Sequence, residues 1–160
     1  LENNFSLFSR NYLLIKQFYL SLQKVTKEMK IYTSYFSNGA KLAKAGIMMI
    51  GIALYPPKWF TGLSNKYVSP SWDILHNSKS EEDYVQRFNS EILAHRDPKA
   101  FLSAIEKMAN GKDVALCCFE KPDDFCHRHL VAKWLNEKLG IQVEEFGISK
   151  NPVYSEQSLF

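Results

Sequence analysis

No apolar run in this chain approaches the roughly 20 residues needed to span a bilayer, so neither a membrane-spanning helix nor a membrane partner is expected. Cysteine is scarce: there are three, an odd number, and two are adjacent. That argues against a disulfide framework and fits a reducing cytoplasm. Internal repeats and low-complexity tracts are absent, which leaves no basis for a repeat array. No sign of charge dominates. A net charge of +3 and a pI of about 8.7 are compatible with an anionic partner and do not require one. A signal peptide is not expected, because Arg10 and Lys16 interrupt any apolar core near the start and no small-residue cleavage site follows.

What remains is ordinary globular material. The chain has 160 residues, 46% of them hydrophobic and 23% charged, enough for one domain with a sizeable core. Met29 stands directly before the first clear strand. The preceding residues 1–28 are expected to be a dispensable extension, or else a helix with Phe8, Tyr12, Ile15, Tyr19 and Leu22 along one side.

The chain is organised around residues 114–139. Val114-Ala-Leu-Cys-Cys-Phe119 is an unbroken apolar run bounded by charged loops, the pattern of a strand covered on both faces in a parallel sheet. A polar loop from Glu120 to Asp124 follows. Then His127, Leu130, Val131, Trp134 and Leu135 recur at helical spacing and mark one buried face. Asp123 or Asp124 is expected to cap this helix, and Gly140 to end it. Residues 141–146 read as a further strand, completing a βαβ unit.

Earlier segments fit the same plan. Residues 30–35 read as a first strand, rich in β-branched and aromatic side chains. A short helix follows, with Ser37 or Asn38 as its cap and Gly46 after its end. Residues 47–54 read as a second buried strand, stopped by Pro56-Pro57. Residues 55–80 look long and irregular. Ser80 can cap a helix through Ala94, and Asp97-Pro98 opens another that Asn110-Gly111 ends. The tail from Gly147 has no pattern. The expected fold is α/β: a small, mostly parallel, Rossmann-like sheet of about four strands, with helices on both faces.

In such sheets ligands bind outside the carboxyl ends of the strands, against helix N-termini. Glu120, Cys126, His127 and Arg128 all fall there. Glu120 is the first choice for a reacting carboxylate. Cys126 is a candidate nucleophile beside His127 and the helix dipole, although neighbouring helical residues need not touch. Arg128 offers a planar fork for a phosphate, so phosphate-containing ligands are expected beside it. Thr33 and Ser34 end the first strand on the same edge and are candidate ligand contacts. Tyr55 and Trp59, with Lys58 and Lys66, suggest a stacking platform with cations for phosphate. Each of these residues also has an ordinary use, as core, backbone partner or solvated surface. No cofactor and no metal is expected. Cys117, Cys118, Cys126 and His127 were the available zinc ligands, but adjacent cysteines on a strand point to opposite faces, so both can hardly bind one ion.

The run LCCFEKPDDFCHRHLVAKWL resembles the signature of the uncharacterised family called domain of unknown function four-eight-eight. The matching positions are Cys118, Glu120, Cys126, His127 and Arg128, and residues 29–146 resemble its small phage and bacterial members. Many members carry Asp-Val-Arg after the second strand, where this chain has Ile52-Ala-Leu-Tyr55, so that arginine has no counterpart here. The resemblance implies an α/β sandwich and work on a nucleotide or nucleic acid. From the residues, an enzyme acting at a glycosidic bond and a non-catalytic module binding a nucleotide or modified base both remain open.

Overall fold

The computed structural model describes residues 28–148. Most of the extension before Met29 and most of the tail after Gly147 therefore lie outside the described residues. Five strands form one sheet, all parallel: β1 (Ile31–Tyr35), β2 (Met48–Gly51), β3 (Leu63–Ser64), β4 (Val114–Cys118) and β5 (Glu144–Glu145). Their spatial order is β3-β2-β4-β1-β5, so β4 is the central strand. That position explains its composition: every residue from Val114 to Cys118 is buried.

Side-chain alternation along β4 separates two cores. Val114 and Leu116 join the larger one, with Phe101 and Ile105 of α4 (Pro98–Ala109) and Val131, Trp134 and Leu135 of α5 (His127–Leu139). Ala115 and Cys117 join the smaller one, with Phe36, Ile47 and Leu42 of α1 (Gly39–Lys44). Helices thus cover both faces, as the apolar run of β4 requires.

The helix signals in the sequence work mostly as expected. Asp97 accepts from the Lys99 N–H at the start of α4, and Ser80 accepts from the Asp83 N–H at the start of α3 (Glu81–Arg87). Gly140 takes φ of 70° after α5, a left-handed position that glycine occupies without strain.

Four expectations need correction. Residues 55–80 are not irregular throughout: they hold the short edge strand β3 and α2 (Trp72–Asn77). The helix expected to run from Ser80 to Ala94 is regular only to Arg87, then widens into a π-turn at Phe88–Ile92 and tightens into a 3-10 turn at Leu93–His95. That change of winding keeps Phe88, Ile92 and Leu93 all buried. Neither Asp123 nor Asp124 caps α5. Cys126 is its N-cap residue, without a side-chain cap, and Asp124 instead accepts from the Lys121 N–H inside the loop. Finally, the expected strands 47–54 and 141–146 pair over only four and two residues.

Candidate functional site

Parallel register sets the site. Cys118 at the end of β4 lies beside Tyr35 at the end of β1, and Cys117 beside Gly51 at the end of β2. The chain then crosses the 120–126 loop and enters α5, which brings His127 back over the end of β4. The imidazole Nδ1 lies 3.7 Å from Cys118 Sγ and 3.9 Å from Cys126 Sγ. Cys126 and His127 do meet, because Cys126 is not helical: its extended backbone (φ −154°, ψ 140°) turns its thiol toward the ring. Nε2 of the same ring lies 3.1 Å from the Ile52 carbonyl oxygen. A carbonyl only accepts, so Nε2 carries a proton and donates, which leaves Nδ1 as the atom facing both sulfurs.

The two thiols are not equivalent. The neighbouring Cys118 thiol, with His127 and Glu120, drives Cys126 well below the ordinary thiol range against the opposing effect of burial. The same contact, reinforced by burial, pushes Cys118 up. Of the two, Cys126 is the one shifted toward the thiolate. Glu120 faces both sulfurs. Burial first, then Cys126, raises its pKa, and its Oε2 is buried with no oxygen or nitrogen partner among the described residues. Cys117 packs with Ala115 and Leu42, donates to the Ala115 carbonyl, and is pushed up to about 12 by burial.

A pocket of about 440 Å³ opens onto this cluster. Tyr55, Tyr84, Phe119 and Phe125 contribute aromatic walls, and Glu120 and Cys126 its polar spots. Tyr84 and Phe125 meet edge to face at 5.2 Å, which fixes that wall. Lys66 Nζ sits 5.8 Å from the Tyr55 ring centre, at the exposed rim.

The other expected residues lie elsewhere. Arg128 is wholly buried: Nε donates to Glu145 Oε2 at 3.2 Å, and Nη2 donates to the Lys121 carbonyl at 2.9 Å. Its Nη1 has no oxygen partner among the described residues, and the guanidinium faces Cys126. Any phosphate binding Arg128 would have to compete with Glu145. Thr33 donates to Glu145 Oε2 at 2.6 Å, and Ser34 accepts from Asn38 at 3.1 Å, so both hydroxyls are taken up inside the protein. Trp59 is exposed and packs on Phe36 on the far side of β2, outside the pocket. Glu145, Tyr84 and Phe125 were not singled out from sequence. Glu145 had a usable signal: an acid at the end of the strand that follows the helix opened by Arg128.

The class is an α/β protein with a parallel sheet and a Cys-Glu-Cys-His cluster at the end of its central strand. The family model for DUF488-N3a, described as the active DUF488-N3 subclade, matches residues 33–139. The chain belongs to this DUF488 family. No curated protein and no solved structure matches it.

Proposed function

We propose that this protein is an enzyme acting on a nucleotide or nucleic acid, with the base held in the aromatic pocket and Glu120 as the reacting carboxylate in glycosidic-bond cleavage. The observation that carries the reading is the Glu120 side chain. It presents at a 440 Å³ pocket, walled by aromatic rings, a buried Oε2 that has no oxygen or nitrogen partner among the described residues. Aromatic walls suit a base, because every base has a π face to stack. The Lys66 ammonium at the rim suits a phosphate. The word active in the family's description also favours chemistry over binding alone.

In the proposed step, water adds its oxygen to the anomeric carbon while the carbon–nitrogen bond breaks. The electron pair stays on the base nitrogen. The proton released by the water passes through Glu120 to the departing base, so the carboxylate is regenerated.

The test uses nucleotides and short single-stranded oligonucleotides as substrates, with free base measured by chromatography. Glu120→Gln is expected to lower turnover on the order of 10²–10⁴-fold, the usual worth of a positioned acid–base group, while leaving ligand affinity close to that of the parent. If the parent chain binds members of the panel but converts none, the catalytic reading falls and a non-catalytic nucleotide-binding module takes its place.

A further inference from the structure

The proposed reaction uses Glu120 and leaves the thiol–imidazole cluster beneath it without a role. We infer that Cys118, Cys126 and His127 are the protein ligands of a zinc ion whose fourth position opens into the pocket beside Glu120.

Geometry is the first support. The ligand atoms of these three residues all lie within 4.8 Å of one another, and all three residues are buried. Zinc binds thiolate sulfur at about 2.3 Å and imidazole nitrogen at about 2.0 Å, so a tetrahedral angle places sulfur and nitrogen about 3.5 Å apart. The separations here are 3.7 and 3.9 Å. Both lie within about 0.4 Å of the separation that zinc ligation requires.

The imidazole is the second support. Ligand histidines commonly donate their other ring N–H to a carbonyl or carboxylate, which fixes the tautomer and orients the ring. His127 does this through Nε2 and the Ile52 carbonyl, leaving Nδ1 aimed at the sulfurs. Two sulfurs and one imidazole select a soft or borderline metal such as zinc over magnesium or calcium. The objection raised by adjacent cysteines does not reach this set. Of the adjacent pair, Cys118 is the one whose sulfur lies 3.7 Å from His127 Nδ1, while Cys117 donates to the Ala115 carbonyl.

The fourth direction is the third support. All three ligands line the pocket that holds Glu120. Three protein ligands with one open position is the arrangement of catalytic rather than structural zinc sites. Two thiolates neutralise the ion, and Arg128 is already balanced by Glu145, so the site leaves no large uncompensated charge in the interior.

The full chain, purified with reductant and stripped of metal by a chelator, would be titrated with zinc against a chromophoric competitor, and separately with cobalt. One equivalent of zinc is expected. Cobalt is expected to give the intense visible bands of a tetrahedral site together with thiolate charge transfer. Cys118→Ser and Cys126→Ser should lose both the stoichiometric zinc and the charge-transfer signal, whereas Cys117→Ser should keep them. Circular dichroism of each variant identifies loss through unfolding. Should a serine variant fail to fold, the parent's cobalt spectrum and the Cys117→Ser titration still decide. No stoichiometric uptake by the parent, or equal uptake by the folded Cys118→Ser and Cys126→Ser variants, overturns the site. Because no nucleotide enters this assay, its failure leaves the proposed reaction standing, and inactivity toward nucleotides leaves the metal site standing.

Discussion

Arg128 shows how a residue's type and its surroundings can point in different directions. An arginine in the first turn of a helix, at the mouth of a βαβ unit, reads as an anion receptor. Its side chain instead lies inside the protein, bridging Glu145 and the Lys121 carbonyl. Removing one partner of a buried ion pair strands the other, at about 3–5 kcal/mol. Arg128→Ala is therefore expected to lower stability by that order. Affinity for phosphate-bearing ligands, corrected for the fraction folded, should not change. Measuring both on one preparation decides the matter, since weakened affinity in fully folded protein would restore Arg128 as a ligand residue. The same limit on legibility applies to the cysteines. A two-residue period shows that Cys117 and Cys118 face opposite ways, but which of them meets His127 depends on strand register, and register is a property of the sheet. Tyr55 and Trp59 are a parallel case. Both are exposed aromatics from one loop, and only the path of that loop puts Tyr55 on the pocket and Trp59 beyond it.

At the scale of elements, α5 lays Val131, Trp134 and Leu135 on the larger core. Trp134 is 6% exposed and meets Phe101 of α4 at 6.2 Å, joining the two helices over the larger core. Trp134→Ala is expected to cost about 3–5 kcal/mol, the range for deleting a large buried aromatic. Chemical denaturation would measure it, and a loss below about 1 kcal/mol, as for an ordinary surface position, would refute the packing described. This helix could be read from sequence because its apolar residues recur at three and four positions over its whole length. The central strand was legible for the opposite reason, an apolar run without any period. Edge elements were not. β3 has two residues, Leu63 and Ser64, both exposed, so no burial pattern marks it. Only its pairing with Ile50 and Gly51 makes it a strand. The π-turn at Phe88–Ile92 escaped notice because helical periodicity continues through it while the winding changes.

For the molecule as a whole, the Glu145 side chain ties α5 to β1 at the edge of the sheet, where β5 pairs with β1 over only two residues. Three groups face its carboxylate: Thr33 from β1 at 2.6 Å, Arg128 from α5 at 3.2 Å and His129 from α5 at 3.4 Å. Burial alone would raise the Glu145 pKa. Hydrogen bonds from His129, Thr33 and Arg128 outweigh it and hold the carboxyl down at about 2, against an ordinary value of 4.5. A carboxylate depressed in the folded state lets the unfolded chain bind a proton first as pH falls. Its contribution is therefore complete above pH 4.5 and is lost progressively as pH drops toward about 2. Other acids titrate in the same window, so the informative quantity is the difference from Glu145→Gln, which has no proton to take up at this position. The variant should be less stable near neutral pH, and its deficit should shrink steadily below pH 4.5. Denaturation midpoints of the two proteins across that range would test this. Two curves that fall in parallel would mean that Glu145 is not the group coupling the sheet edge to pH.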